Sequence, residues 1–205
     1  MTLDYEQSLV ERACDDPQAF RQLYNHYLPR LYAYVCYLVG CAQDAEDLVA
    51  ATFLRVVEEI DRFRWRHDNS FAAWLFRIAH NLVYNFQRSA RHAGRPLALE
   101  DIPHIPANAL LPHDEVERKE LFAHVRRLVE ELPPRRREVI SLKYFGGLQN
   151  REIAAVLGLD ERTVASNLSR ALDDLEGKYQ ATDGITHERI GVGARHTGLR
   201  RENKI

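Results

Sequence analysis

A chain of 205 residues, 45% hydrophobic and 28% charged with a formal net charge of -2, holds enough apolar matter for one large globular domain or two small ones. No apolar run approaches the length of a membrane span, and Met1-Thr2-Leu3-Asp4-Tyr5-Glu6 lacks the charged-then-apolar layout of a secretion signal, so a cytoplasmic protein without membrane insertion is expected. Cys14, Cys36 and Cys41 are too few and too oddly spaced for a disulfide framework or a zinc site and are expected to be buried free thiols; the histidines form no His-Glu-x-x-His arrangement, so neither metal nor cofactor is expected.

Residues 4–13 predict a short helix with Leu9, Val10 and Ala13 on one side. Asp16-Pro17 is a start signal for the next helix. From Phe20 onward Leu23, Tyr24, Tyr27, Leu31, Tyr34, Val35 and Leu38 recur at three and four residues, which predicts one long amphipathic helix that Pro29 only bends and Gly40 ends. A helix over 44–60 turns Leu48, Val49, Phe53, Val56 and Ile60 inward and Asp44, Glu46, Asp47, Arg55, Glu58 and Glu59 outward. Residues 61–70 are polar, mixed in charge and studded with aromatics, and read as a loop. Ser70 caps a third helix containing Phe71, Trp74, Leu75, Ile78, Leu82 and Phe86, whose other face is polar and basic: Arg77, His80, Asn81, Asn85, Arg88 and Arg91.

Pro96, Pro103, Pro106 and Pro112 punctuate a stretch with no sustained period, so residues 93–113 read as a flexible linker. Helical patterning resumes over 114–132, breaks at Pro133-Pro134 and restarts over 135–145 with Val139, Ile140, Leu142 and Tyr144. After Gly146-Gly147, residues 148–175 read as helix, tight turn, helix. Ile153, Ala154 and Leu157 are the apolar positions of the first, Gly158 suits its left-handed end, Asp160 caps the second, and Val164, Leu168, Ala171, Leu172 and Leu175 continue it. That pattern serves equally as a helical hairpin in a packed domain or as the device that lays a helix in the DNA major groove. Residues 181–205, rich in glycine and arginine, are expected to be poorly ordered.

No alternating strand pattern of useful length occurs, so the fold class expected is all-α: two small helical domains, 1–92 and 114–180, joined by the linker. The near-neutral charge does not advertise strong unaided DNA binding, which needs a basic surface to displace counterions. No nucleophile–base constellation, metal motif or phosphate loop is present, so the chain is not expected to be an enzyme.

Four segments carry a family resemblance. Ala19-Phe20-Arg21-Gln22-Leu23-Tyr24 with Leu28-Pro29-Arg30-Leu31-Tyr32, Asp44-Ala45-Glu46-Asp47-Leu48-Val49 with Thr52-Phe53-Leu54-Arg55, and Ala73-Trp74-Leu75-Phe76-Arg77-Ile78-Ala79-His80-Asn81 resemble region 2 of sigma-70-family factors of the extracytoplasmic-function type. Leu132-Pro133-Pro134-Arg135-Arg136-Arg137-Glu138-Val139 with the helix-turn-helix resembles their region 4. The resemblance covers most of residues 5–178 in the family's order.

It implies a dissociable subunit that binds core RNA polymerase, directs it to promoter DNA and opens the duplex, with an anti-sigma factor as a further partner. The helix over 44–60 would meet a coiled coil of the polymerase through Asp44, Glu46, Asp47, Leu48, Phe53 and Arg55, although Ala50 and Ala51 stand where polar residues are frequent in the family. The loop and the third helix would open the -10 element and hold an extruded base: Trp65, His67 and Asn69 supply flat and hydrogen-bonding groups, Arg66, Arg77 and Arg88 track phosphates, and His80 and Asn81 lie on the same helix. The other reading of Trp65 is a cover for the core edge. At the -35 element, Thr163, Ser166, Asn167 and Arg170 would face the bases with Arg162 beside them and Arg151 on a phosphate, along a helix from 161 to about 176. Asp173 and Asp174 would weaken that contact unless they face away. The alternative is a sigma-like regulator that binds polymerase or an anti-sigma partner without productive promoter recognition.

Overall fold

The computed structural model describes residues 2–65, 70–92 and 124–190, with side chains to residue 180. The expected linker, the start of the helix expected from residue 114, and residues 191–205 lie outside the described residues.

Every element among the described residues is helical, apart from turns. Helix α1 spans Leu3–Arg12 and α2 Pro17–Val39. Asp16 caps α2 by accepting from the Gln18 amide at 2.9 Å, Pro17 sits at its start where no amide is needed, and Gly40 closes it at φ 75°. The helix runs unbroken through Pro29, as expected. Helix α3 covers Ala42–Glu59, followed by one 3-10 turn at Ile60–Arg62, and α4 covers Phe71–His92. Ser70 caps α4 through its Oγ, which accepts from the Ala73 amide at 3.2 Å.

The C-terminal half begins with a helical stretch over 124–130, here α5, then α6 at Pro134–Tyr144, α7 at Asn150–Leu157 and α8 at Glu161–Ile190. Glu152 reaches back to the Gln149 amide at 2.8 Å to start α7. Gly158 ends α7 at φ 65°, and Asp160 Oδ1 accepts from the Thr163 amide at 2.7 Å to start α8. Both glycine and aspartate act as the sequence predicts. The expected end of α8 near residue 176 is corrected: the helix continues to Ile190, into the segment expected to be poorly ordered.

The expectation of buried thiols holds for Cys36 alone; Cys14 is exposed and Cys41 half-buried, and all three are free. Cys14 lies in the turn after α1, outside the apolar stripe of Leu9 and Val10.

A single hydrophobic cluster runs through both halves. Leu9, Leu23, Tyr27, Leu31, Phe71, Leu75 and Phe76 of the first half are continuous with Val139, Leu142, Leu148, Ile153 and Val164 of the second. Each fully buried side chain of this size contributes about 1.5–3 kcal/mol relative to exposure, so closing the two halves on each other is part of what stabilises the fold. A second, smaller cluster crosses the same boundary: Tyr37 of α2 is buried among Val129, Leu132, Ile140 and Ala171.

Candidate nucleic-acid interface

Three surfaces carry the residues singled out in the sequence. The first is the outer face of α8. Val164 and Ala171 are buried and Leu168 packs on the core, which turns Arg162 and Arg170 outward and leaves Thr163, Ser166 and Asn167 half-exposed beside them; Arg151 is half-exposed on α7. The Thr163 hydroxyl donates to Asp160 Oδ2 at 2.5 Å, so its oxygen is left as an acceptor, while Asn167 Nδ2 donates to the Thr163 carbonyl at 2.8 Å and keeps its own carbonyl oxygen available. The Thr163 hydroxyl and amide hold the exposed Asp160 carboxyl below its ordinary range. The two acidic residues part company: Asp174 pairs with Arg136 of α6 and so faces its own domain, whereas Asp173 is exposed.

The second surface is α4 with the loop before it. Arg77, Asn81, Tyr84 and Arg88 are all exposed and, at three- and four-residue spacing, form one stripe along the helix. Tyr84, 54% exposed, belongs to this stripe and was absent from the candidate set. By residue type an aromatic in a helix looks like core, but its phase follows Asn81 and Arg88 rather than Leu75 and Ala79. His80 departs from the stripe. It is half-buried, its Nδ1 lies 3.0 Å from the hydroxyl of the fully buried Tyr34, and burial lowers its pKa. With its Nδ1 engaged inward by Tyr34, His80 stands apart from Arg77, Asn81 and Arg88 in the set expected at DNA.

Trp65 stands between the two readings given to it. It is half-buried and packs edge-on against Phe63 at 6.2 Å, while Phe63 lies 4.8 Å from Trp74. The indole therefore belongs to an aromatic cluster at the core edge while remaining partly exposed. Arg66, His67 and Asn69 lie outside the described residues.

The third surface is α3. Glu46, Asp47 and Arg55 are exposed and Asp44 is half-exposed, with Arg55 paired to Glu58 and Glu59, each at 3.4 Å, on its own helix. Phe53 is 6% exposed and its ring sits 4.5 Å from Tyr24, and Leu48 packs on the core. Phe53 is therefore removed from the expected partner contact, because its side chain is consumed by the bundle. The outward apolar side chains are instead Leu54 and Val57, 61% and 54% exposed, with Ala50 one turn before. Beside Val57 an apolar recess is lined by Ala13, Pro17, Phe20 and Ile60. Among the described residues no group of histidine, cysteine and carboxylate side chains could hold a metal ion, and no helix is long and apolar enough to cross a membrane.

Comparison with known proteins identifies the family of the two halves. Residues 23–93 match the family model for Sigma-70 region 2 and residues 123–175 that for Sigma-70, region 4. The chain is 34% identical to the ECF RNA polymerase sigma factor BldN of Streptomyces coelicolor over 82% of its own length and 63% of BldN, so it spans less than two thirds of that relative. It is 31% identical to the ECF RNA polymerase sigma factor SigW of Bacillus subtilis over 78% of its length and 88% of SigW. Among solved structures it is similar to CnrH, determined in complex with the cytosolic domain of CnrY, with a TM-score of 0.65, 28% identity and coverage of 86% of this chain and 98% of CnrH. It is also similar to the sigma factor RpoE of Bartonella quintana, determined with the anti-sigma factor NepR, with a TM-score of 0.58, 26% identity and coverage of 78% and 96%.

Proposed function

The chain belongs to the sigma-70 family of RNA polymerase sigma factors, in its extracytoplasmic-function branch, and from that premise we propose that it binds core RNA polymerase in the cytoplasm, directs it to promoters and opens the DNA. The observation that carries this is the pairing, in one chain, of an exposed Arg77–Asn81–Tyr84–Arg88 stripe with a helix-turn-helix whose second helix turns Arg162, Ser166 and Arg170 outward.

Region 2, residues 1–92, supplies two functions. The α3 surface, with Leu54 and Val57 at its centre and Glu46, Asp47 and Arg55 around them, docks on a polymerase helix; the apolar pair gives affinity and the charges give register. The α4 stripe holds the opened strand of the -10 element: Arg77 and Arg88 neutralise phosphate, Tyr84 and the half-exposed Trp65 stack on an unpaired base, and Asn81 reads its edge. Region 4, residues 114–180, reads the -35 duplex with Arg170, Ser166, Thr163 and Asn167, while Arg162 and Arg151 engage phosphate. Because Thr163 presents only an acceptor and its methyl group, it favours a base edge that donates.

No step here is catalysis by the chain itself; it positions the polymerase and stabilises separated strands. With a net charge of -2, neither half holds DNA tightly alone, and the polymerase supplies the effective concentration that lets both engage. An anti-sigma factor is part of the proposal, by likeness to RpoE, which was solved with one. The test is run-off transcription: the purified chain added to core polymerase produces a specific transcript from a cognate promoter that core alone cannot open. A chain that binds core yet yields no specific transcript is the regulator instead, and a chain that does not bind core is neither.

A further inference from the structure

The first turn of α8 fixes the chemistry of one side chain proposed to read a base. Asp160 caps the helix with both of its oxygens on a single residue: Oδ1 accepts from the Thr163 amide at 2.7 Å and Oδ2 from the Thr163 hydroxyl at 2.5 Å. From the next turn, Asn167 Nδ2 donates to the Thr163 carbonyl at 2.8 Å. Thr163 is therefore held at its amide, its hydroxyl and its carbonyl at once. It stays half-exposed at the start of the helix, the part of a recognition helix that reaches base edges.

The hydroxyl bond can run in one direction only. The Thr163 hydroxyl, and after it the Thr163 amide, holds the Asp160 carboxyl below its ordinary range, so at neutral pH it is ionised and has no proton to give. The proton between Asp160 Oδ2 and Thr163 Oγ1 is the hydroxyl's own, and it is committed to the cap. What Thr163 has left to offer is oxygen lone pairs and a methyl group. In the major groove the amino groups of adenine and cytosine donate, whereas guanine and thymine present carbonyl oxygens at the corresponding place. A carbonyl oxygen against the Thr163 oxygen is two acceptors with no proton between them. Turning the hydroxyl toward that carbonyl would break its bond to a charged carboxylate, which is among the stronger kinds.

We propose that Asp160 is a positioning residue for sequence readout: by holding the Thr163 hydroxyl as an acceptor, it sets one position of the -35 element to adenine or cytosine without touching the base. The inference rests on α8 reading a major groove, as in the function proposed above; the direction of the hydroxyl bond does not.

Asp160→Asn inverts the device while keeping the cap, because asparagine serves as well as aspartate at a helix start. Its amide oxygen is required by the Thr163 backbone amide. Its NH2 group then takes the place of Oδ2, donates to the Thr163 oxygen and frees the hydroxyl proton for the groove. The favoured base becomes guanine or thymine.

The test is a pair of selections from randomised duplexes, read by sequencing. One uses the full chain alone at low ionic strength, where a few phosphate contacts hold the duplex. The other uses holoenzyme reconstituted with core polymerase on promoters randomised over the -35 element. The position read by Thr163 is the one whose preference Thr163→Val erases. There the unmodified chain is expected to enrich adenine or cytosine about tenfold over guanine or thymine, and Asp160→Asn to enrich guanine or thymine instead. Asp160→Asn combined with Thr163→Val should match Thr163→Val alone, because the first residue acts through the second. Removing a negative charge strengthens binding to every sequence alike and a damaged cap weakens it alike, so neither reverses a preference at one position. An unchanged preference in Asp160→Asn overturns the inference, and so does a Thr163→Val that erases no preference in either selection. Reversal on duplex alone, with no transcription directed by the holoenzyme, overturns the proposed function and not the role of Asp160.

Discussion

At the scale of single residues, the face a side chain takes decides its role, and two cases in α4 show how. Tyr84 is exposed in phase with Asn81 and Arg88, and stacking of an aromatic on an unpaired base is worth about 1–3 kcal/mol. Tyr84→Ala is therefore expected to reduce promoter opening by about fivefold or more in a permanganate footprint of unpaired thymines, while -35 duplex recognition is unchanged and Tyr84→Phe retains most of the activity. His80 points the other way. Burial lowers its pKa below the ordinary 6.5, with Glu138 opposing and Arg135 reinforcing the shift. Above pH 6.5 the imidazole is neutral in folded and unfolded chains and has no effect on pH dependence. As pH falls below 6.5 the unfolded chain takes up a proton that the folded chain resists, so stability is lost toward the lower, folded pKa. Urea unfolding between pH 7.5 and 5.5 should show a smaller loss of stability in His80→Gln than in the unmodified chain. His26, also lowered by burial, and Glu6, whose carboxyl burial pushes up, contribute equally to both chains and cancel in that difference. Arg55 and Arg170 illustrate the same point among charges: one is paired along its own helix, the other exposed on the outer face of α8.

At the scale of elements, what was legible in the sequence is what local chemistry specifies. Ser70, Asp160, Gly40 and Gly158 each satisfy or release backbone groups within a few residues of themselves, and each acts in the structure as its residue type demands. The inward faces of α2 and most of α8 followed from periodicity for the same reason; of the α8 set Leu172 alone stands 42% exposed. Helix α3 shows where this stops, because periodicity gives a face and not the depth to which a face is covered. The expected inward set includes Phe53 and leaves Val57 unassigned; the structure packs the first against Tyr24 and leaves the second 54% exposed. The pair therefore separates stability from binding. Phe53→Ala should cost about 3–5 kcal/mol of folding stability by loss of a packed ring, measured by chemical denaturation. Val57→Glu should leave stability within about 0.5 kcal/mol yet weaken core polymerase binding by tenfold or more in a pull-down titration, since it places a charge in the apolar centre of the proposed contact. The reverse pattern would move the polymerase surface off α3.

At the scale of the whole molecule, the contacts that matter most were not legible, because they join residues far apart in sequence through a geometry that neither half dictates. Tyr37 reads as one more inward tyrosine of a long helix, and Phe145 as the end of another. Only their stacking across the boundary shows that the first half completes the core of the second. Arg30, flanked by apolar residues, gives no sign that it reaches two carbonyls more than a hundred residues away. Such a shared core has a thermodynamic signature. If both halves bury side chains in one cluster, they unfold together, and probes confined to one half report the same transition as probes of both. Trp65 and Trp74 both lie in the first half, so tryptophan fluorescence follows region 2 while far-ultraviolet circular dichroism follows every helix. The two urea curves are expected to coincide for the unmodified chain. In Arg30→Ala combined with Tyr37→Ala they should part, with a helical transition persisting where fluorescence no longer changes, or preceding it, because each half must then stand on its own buried area. Coincident curves in that double variant would mean that the halves are coupled chiefly by the other contacts between them, at Ser70 with Glu152 or at Phe76 against Gly146.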